Sequence, residues 1–266
     1  MSKFIILVWF LVACATAPPT ESSVRKGTGR AGNFRLVGGT DAADGAYPFM
    51  VSLQYPDNTH FCGGTILNKR WILTAAHCAS VKEASEIVAV AGTNALDSRT
   101  VVKRVCKIVI HPNFNNTHVN DIAILMIATP FKYNTTIAPV AISWGFSRYI
   151  LNVTVVGWGA TRESGDSSNN LQEFSTKTIS RPRCSRTFAF ITRKYICTRA
   201  RKRKALCYGD SGGPLLQTNI KAQIGVAFVS SHYSCRNDVY VVDIYVRVAP
   251  YIDWIGKTIR SVKLTC

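Results

Sequence analysis

The hexapeptide Gly209-Asp210-Ser211-Gly212-Gly213-Pro214 places one serine hydroxyl on a glycine-rich turn. On such a turn the backbone N–H groups of Gly209 and Ser211 can face the same point. The hydroxyl can then attack a carbonyl carbon while the two N–H groups stabilise the negative charge that develops on the carbonyl oxygen. The stretch therefore predicts a nucleophile together with an oxyanion-binding site.

Two segments upstream supply a base and an acid for this serine. The segment Thr74–Cys78 contains His77, and Asp121 precedes an apolar run at residues 122–125. A serine hydroxyl is a weak nucleophile at neutral pH, whereas an ordinary imidazole, with a pKa of about 6.5, can take and return its proton. An aspartate on the other ring nitrogen would fix the tautomer. We therefore expect His77, Asp121 and Ser211 to act as one catalytic group.

The chain order of these three residues decides between two interpretations. Residues 209–213 also fit the G-x-S-x-G turn of α/β-hydrolases, in which the acid and then the histidine follow the serine. Here His77 and Asp121 precede Ser211, and His232 is the one histidine that follows it. The order excludes the α/β-hydrolase turn.

Together these motifs resemble those of the trypsin/chymotrypsin family of serine endopeptidases, from Arg35 to Ile255. The resemblance implies an all-β, chymotrypsin-like fold of two six-stranded antiparallel β-barrels with a C-terminal α-helix. It also implies His77 as general base and acid, Asp121 as its orienting partner and Ser211 as nucleophile, with Gly209 and Ser211 N–H as the oxyanion hole. The mechanism, peptide hydrolysis through an acyl-enzyme, is that of the family.

The first residues of the chain are typical of a secretion signal. Lys3 precedes an apolar stretch at residues 4–12, which is followed by the small residues Ala13, Ala15 and Ala17. This pattern predicts a signal peptide over residues 1–17. The apolar stretch is shorter than the roughly 20 residues that span a membrane. We therefore expect a secreted, extracellular protein without a membrane span.

The following polar and basic stretch, residues 18–35, resembles an activation propeptide that is cut after Arg35. The resemblance implies that the new α-amino group of Leu36 pairs with Asp210 and that His60 holds this aspartate before the cut. A buried carboxylate without a partner is unfavourable, so the pairing can order the oxyanion loop. The full chain is thus expected to be a zymogen, activated by a trypsin-like protease.

Residues 36–266 are predicted to form the protease domain. The resemblance places the first barrel at about 36–140, the second at about 150–250 and the helix at about 250–263. Alternation in Val51–Tyr55 predicts a half-buried strand, and further strands are predicted at 223–229 and 239–248, a spacing that suits a barrel or a sandwich. Apolar residues at three- and four-residue steps predict the C-terminal helix: Ile252, Ile255, Ile259 and Val262.

Nine cysteines are present, and removal of the signal peptide with Cys14 leaves eight. An even number in a secreted chain predicts disulfides. The resemblance implies Cys62–Cys78, Cys184–Cys197 and Cys207–Cys235. Cys106 and Cys266 remain, and we expect them to pair. The sequence contains no C-x₂-C pair of the kind that binds zinc, and Asp97, a single carboxylate, is too few for a calcium site, so no metal or cofactor is expected. N-glycosylation sequons begin at Asn115, Asn134 and Asn152.

The residues that correspond to the family's primary specificity pocket depart from the trypsin pattern. Ala205 stands six residues before the nucleophile, where trypsins have an aspartate, and Leu206 beside it is apolar. Ala227, Phe228 and Val229 replace the usual Ser-Trp-Gly; Val229 should narrow the pocket, and Ala227 removes a hydroxyl that normally bonds the triad aspartate. These residues favour cleavage after aliphatic or aromatic residues.

Asp243 leaves a second specificity open. It lies two residues before Tyr245, where the resemblance places a wall residue at the far end of the pocket, and it could attract a basic substrate side chain. The alternative is that backbone or water groups hold its carboxylate and that it contributes little to selectivity. A broad-specificity protease that accepts basic residues through Asp243 is therefore the alternative to the apolar preference.

The net charge of the chain is +17, and no acid lies between Glu173 and Asp210. A protein surface with this positive charge can attract acidic proteins, heparin-like polysaccharides or anionic membranes. A non-catalytic cationic binding protein is thus a further alternative, although relatives of that kind usually lack a triad residue.

We expect a monomer whose partners are protein or peptide substrates and protease inhibitors, and not nucleic acid. The basic residues in the interval include Arg181, Arg183, Arg186, Arg193, Lys194, Arg199, Arg201, Lys202, Arg203 and Lys204.

Overall fold

The computed structural model describes residues 39–115, 119–144, 150–160, 166–199, 205–228 and 242–266. The chain divides into two units, Met1–Asn33 and Phe34–Cys266, and the described residues all belong to the second. The predicted signal peptide, the propeptide, and the residues Arg35 and Leu36 lie outside the described part.

Six antiparallel strands form the first barrel, which closes in the order β2-β3-β4-β7-β6-β5. Strands β4 and β7 are buried along their whole length, and their sequences WILT and AILMI are accordingly almost continuously apolar. The bounds are β2 (Met50–Gln54), β3 (His60–Ile66), β4 (Trp71–Thr74), β5 (Val88–Ala91), β6 (Val101–Ile110) and β7 (Ala123–Ile127).

The second barrel has six strands in the order β9-β10-β13-β12-β11-β8 and is closed by pairing of β8 with β9. The short strand β1 (Thr40–Asp41), from the part of the chain assigned above to the first barrel, pairs with β9. The two closed barrels confirm the predicted fold class. The bounds are β8 (Asn152–Gly157), β9 (Gln172–Ile179), β10 (Tyr195–Arg199), β11 (Pro214–Gln217), β12 (Ala222–Phe228) and β13 (Val242–Arg247).

The strand predicted at Val51–Tyr55 is present as β2, but the prediction that it is half-buried is wrong, because β2 is buried on both faces. Ser52 is 2% exposed and Gln54 is fully buried. Gln54 Nε2 donates to Ser52 Oγ at 3.0 Å, and Ser52 Oγ lies 2.8 Å from His60 Nδ1. A hydrogen-bonded chain of polar side chains therefore replaces solvent on the face that alternation alone assigns to water.

Three α-helices lie between or after the strands: α1 (Ala76–Ala79), α2 (Arg181–Ser185) and α3 (Ile252–Ser261). A 3₁₀ turn at Ala249–Tyr251 precedes α3, so the α-helix is shorter than the predicted 250–263. Ile255 and Thr258 face the interior of the molecule. Within the described ranges, no helix is both long and apolar enough to cross a membrane.

Hydrogen bonds join the two barrels around Ser211. The N–H of Gly63 in the first barrel donates to the Ser211 carbonyl in the second at 2.7 Å. Thr65 Oγ1 donates to Gln223 Oε1 at 2.8 Å, and both side chains are buried. Because these contacts use main-chain and buried polar groups, they fix the relative position of β3 and the serine loop.

Disulfides join Cys62 to Cys78, Cys184 to Cys197 and Cys106 to Cys266. Cys207 is also disulfide-bonded, and its expected partner, Cys235, lies outside the described residues. The Cys106–Cys266 bond spans 160 residues and attaches the end of the chain to strand β6 of the first barrel.

We expect the double substitution Cys106→Ser with Cys266→Ser to lower the free energy of unfolding by about 2–4 kcal/mol, because the unfolded chain regains the freedom of a long loop. Guanidinium unfolding without reductant measures the change. An unaltered unfolding midpoint would show that this bond does not stabilise the protein.

Candidate active site

His77 and Asp121 meet because of the register between strands β4 and β7. Thr74 pairs with Ala123 in an antiparallel register, so the chain just after Thr74 runs beside the chain just before Ala123. His77 follows Thr74 by three residues, and Asp121 precedes Ala123 by two. His77 Nδ1 is 2.6 Å from Asp121 Oδ2, and the His77 backbone N–H donates to Asp121 Oδ1 at 2.7 Å. Asp121 is fully buried, whereas the His77 side chain is 29% exposed. A proton on Nδ1 leaves Nε2 free to act as a base.

Asn120 positions Asp121, and sequence reasoning did not single it out. Its φ of 56° lies in the left-handed region, which asparagine tolerates better than most residues. Lys194 Nζ and Tyr251 OH donate to Asn120 Oδ1 at 2.7 and 3.0 Å. Groups from the second barrel and the turn before α3 thus hold the residue next to Asp121.

The loop that carries Ser211 is held by backbone hydrogen bonds to strand β12. Gly212 N–H donates to the Ala227 carbonyl at 2.9 Å, and Ala227 N–H donates to the Gly213 carbonyl at 2.8 Å. Ser211 is 7% exposed, and within the described part no hydrogen bond joins it to His77, whose Nε2 lies 3.7 Å from Cys78 Sγ. Such bonds are often long without substrate.

The backbone conformation of this loop leaves two N–H groups available. Gly209 has a φ of 93° and Gly212 a φ of 80°, values that glycine adopts without strain. Within the described ranges, the N–H groups of Gly209 and Ser211 donate to no acceptor. Both could therefore bind an oxyanion, as the sequence predicts.

Asp210 is buried beneath this loop at 1% exposure. Its carboxylate accepts N–H hydrogen bonds from Gly159 at 2.8 Å and Cys207 at 2.9 Å. Burial raises the pKa of Asp210 to about 7, although the two hydrogen bonds oppose this effect. A Cβ atom at either Gly157 or Gly159 would collide with the carboxylate, so two glycines make room for the acid.

His60 has hydrogen-bond partners other than Asp210 in the described part of the chain. Its Nε2 donates instead to the Gly209 carbonyl at 3.0 Å, and its Nδ1 faces Ser52 Oγ. Burial lowers the pKa of His60 to about 4, so the ring is neutral at physiological pH. The neutral tautomer donates from Nε2 and accepts at Nδ1, which matches both neighbours.

The predicted pocket residues in the described part are buried, and Leu206 and Ala227 belong to the same hydrophobic cluster. Ala205, Leu206, Ala227 and Phe228 are each at most 6% exposed, and Val229 lies outside the described residues. The Phe228 ring lies edge-on to the His77 ring at 5.9 Å between centroids. In the described part, the hydrogen bonds to the Asp121 carboxylate come only from His77. Ala227 has no side-chain hydroxyl and donates none.

Asp243 reaches the same region from strand β13. It is 3% exposed, and its Oδ1 accepts a hydrogen bond from the Leu206 N–H at 3.1 Å. Burial raises its pKa to about 7. The backbone contact was one of the alternatives that the sequence left open.

The other predicted sites lie on the surface. Arg181, Arg183, Arg186, Arg193, Lys194 and Arg199 are exposed along α2, β10 and the turn between them, while residues 200–204 lie outside the described part. The asparagines of the three sequons are exposed. One His/Cys cluster has metal-like spacing, Cys62, His77 and Cys78, but both sulfurs form a disulfide and are not thiolate ligands.

We expect Gly159→Ala to lower the free energy of unfolding by about 1–3 kcal/mol, because the added methyl group displaces the Asp210 carboxylate. The half-buried helical Gly256, where an added Cβ would meet only the flexible end of the Arg260 side chain, is the control. Gly256→Ala should stabilise the protein slightly, by roughly 0.5–1 kcal/mol. Thermal unfolding measures both. Equal stability of the two variants would contradict the packing of Asp210 described here.

Comparisons with known proteins agree with this geometry. The family model described as Trypsin matches residues 36–255. Chymotrypsin-2 of Vespa crabro is 34% identical over 84% of this chain and 99% of its own length. Trypsin Tyr p 3.0101 of Tyrophagus putrescentiae is 35% identical over 97% of this chain and 92% of its own.

A solved structure shares the fold. Neuropsin, a serine protease expressed in the limbic system of mouse brain, superposes with a TM-score of 0.75 at 25% identity, covering 84% of this chain and 99% of that one. With two closed six-stranded barrels and a family match over most of its length, the chain belongs to the trypsin family of serine proteases.

Proposed function

We propose that this protein is an active serine endopeptidase, and the observation that carries the proposal is the short contact of His77 with buried Asp121 beside the Ser211 loop. Ser211 Oγ attacks the scissile carbonyl as His77 Nε2 takes its proton. The oxyanion accepts hydrogen bonds from Gly209 and Ser211 N–H. His77 then protonates the leaving amine, and water releases the acyl group by the reverse sequence.

The chain is made as a zymogen in this proposal, and cleavage after Arg35 activates it. Support comes from Asp210, whose buried carboxylate has two N–H donors but no cation among the described residues. A new α-amino group at Leu36 would supply that charge. Pairing would lower the pKa of Asp210 from its raised value and stabilise the loop with Gly209 and Ser211.

Cleavage follows aliphatic or aromatic residues. Support comes from the apolar side chains at Ala205, Leu206 and Phe228, which are buried with no charge of their own, and from Asp243, which already accepts one backbone hydrogen bond. An apolar substrate side chain gains by leaving water for such a surface. Val229 in the sequence favours side chains of moderate size.

The protein acts outside the cell, with residues 1–17 as signal, 18–35 as propeptide and 36–266 as the protease domain. Its disulfides suit an oxidising compartment. Glycans at Asn115, Asn134 or Asn152 would lie on exposed positions. Its partners are protein substrates, an activating trypsin-like protease and protein inhibitors, and the exposed basic residues of 181–204 can attract polyanions.

We expect Ser211→Ala to abolish peptide cleavage and fluorophosphonate labelling, and Asp121→Asn to lower kcat about 10⁴-fold through the wrong His77 tautomer. The second magnitude is that of the Ser-His-Asp triad in general. Ser98→Ala, which changes an exposed serine, is the control and should retain full activity. Cleavage by the Ser211→Ala protein would contradict the proposed mechanism.

We expect Arg35→Gln to prevent activation of the full-length chain by trypsin, because the residue directly before Leu36 is then no longer basic. Arg30→Gln, which changes another propeptide arginine, should activate normally. The new N-terminal sequence and the appearance of activity are measured together. Activity before any cleavage would contradict the zymogen proposal.

A further inference from the structure

A cavity of about 440 Å³ lies at one end of the second barrel. It is reached by the last residues of β9, β11 and β13, by the first half of β10 and β12, and by the residue just before β8. Because neighbouring strands of this barrel are antiparallel, these strand ends meet at the same mouth. We refer to it as the barrel-mouth cavity, and each strand has a residue in or beside it that lines the cavity: Leu151, Ile179, Ile196, Gln217, Ile224 and Arg247.

The barrel-mouth cavity lies away from the proposed catalytic serine. Ser211 precedes β11, which begins at Pro214, whereas Gln217 at the other end of β11 lines the cavity. A molecule in the cavity would therefore leave the serine loop accessible. The mouths of β-barrels are among the places where small-molecule sites occur, and the volume lies within the range of roughly 300–1,000 Å³ that is typical of such sites.

The floor of the barrel-mouth cavity is the apolar core of the barrel. Ile196 and Ile224 are 5% and 6% exposed and belong to the hydrophobic cluster of this barrel, and Leu151 packs against that cluster. Ile150, which also lines the cavity, is 65% exposed. Apolar side chains thus extend from solvent to the interior, and a hydrocarbon chain that lies along them loses its contact with water.

The charge at the barrel-mouth cavity is positive. Arg181 and Arg247 line it, and none of its described lining residues is acidic. Arg181 is exposed, whereas Arg247 is half-buried and its Nε donates to the Arg193 carbonyl at 3.2 Å. Burial lowers the pKa of Arg247, because the guanidinium loses hydration. A carboxylate beside it would compensate that loss, since guanidinium groups pair with carboxylates through two parallel hydrogen bonds.

We propose that the barrel-mouth cavity binds an amphiphile with one carboxylate and an unbranched aliphatic chain, as in a fatty acid. The chain lies against Ile196 and Ile224, and the carboxylate pairs with Arg247 and Arg181. A polyanion has no apolar part to cover the floor, and a cationic amphiphile would be repelled by the two arginines. This binding does not depend on the proposed protease function.

The test is isothermal titration calorimetry of the uncut full-length chain with decanoate, below the concentration at which decanoate forms micelles. We expect saturable binding of one molecule per chain. Hexanoate, which is four methylene groups shorter, should bind at least about tenfold more weakly. Decanol, which keeps the chain and lacks the charge, should also bind at least about tenfold more weakly.

Arginine variants locate the bound carboxylate. Arg247→Gln should weaken decanoate binding about tenfold or more, because it removes the half-buried cation. Arg183→Gln is the matched control, since it makes the same change in charge at an exposed residue of α2 that does not line the cavity, and it should bind as the parent does. If Arg247→Gln does not fold, Arg181→Gln replaces it, with an expected loss of roughly two- to fivefold.

Absence of saturable decanoate binding, or equal affinity for decanoate and decanol, would overturn the proposal. An equal loss in Arg183→Gln and in Arg247→Gln would also overturn it, because the overall charge would then explain the binding. The same holds if the protein binds vesicles of phosphatidylserine and not monomeric decanoate, which would indicate a membrane surface. Because the uncut chain is titrated, each of these results leaves the protease function to its own test with Ser211→Ala.

Discussion

The carboxylate of Asp210 is the constraint on which the candidate site depends. It lies in the interior, where charge is unfavourable, and it accepts N–H groups from Gly159 and Cys207. Those bonds attach the loop before Ser211 to a neighbouring segment and set the backbone direction at Gly209 and Gly212. Glycine is required at positions 157 and 159, because any side chain there would occupy the space of the Asp210 carboxylate.

The site is assembled from two barrels, each of which holds only part of it. The first supplies His77 and Asp121 from adjacent strand ends, and the second supplies Ser211. Neither part is anchored by its own barrel alone, since Lys194 and Tyr251 hold Asn120 while Gly63 holds the Ser211 carbonyl. The barrel interface therefore has to be correct to within a hydrogen-bond length before the three residues can cooperate.

Sequence reasoning identified the two barrels, and it named His77 and Asp121, whose side chains the structure joins by a hydrogen bond, because short motifs with fixed chemistry carry them. It failed at Ser52 and Gln54, since alternation describes one strand and not the neighbours that cover it. The partner of His60 and the support of Asn120 by Lys194 were likewise inaccessible, because they join residues far apart in the chain.

The disulfide between Cys106 and Cys266 closes a covalent loop that includes strands of both barrels. A proteolytic cut within the basic run at 199–204 would divide the chain into a piece with the histidine and aspartate and a piece with the serine. Among the described disulfides this one alone crosses the cut, since Cys62–Cys78 and Cys184–Cys197 both lie before it. The two pieces of a nicked molecule would therefore remain covalently joined until a reductant cleaved the Cys106–Cys266 disulfide.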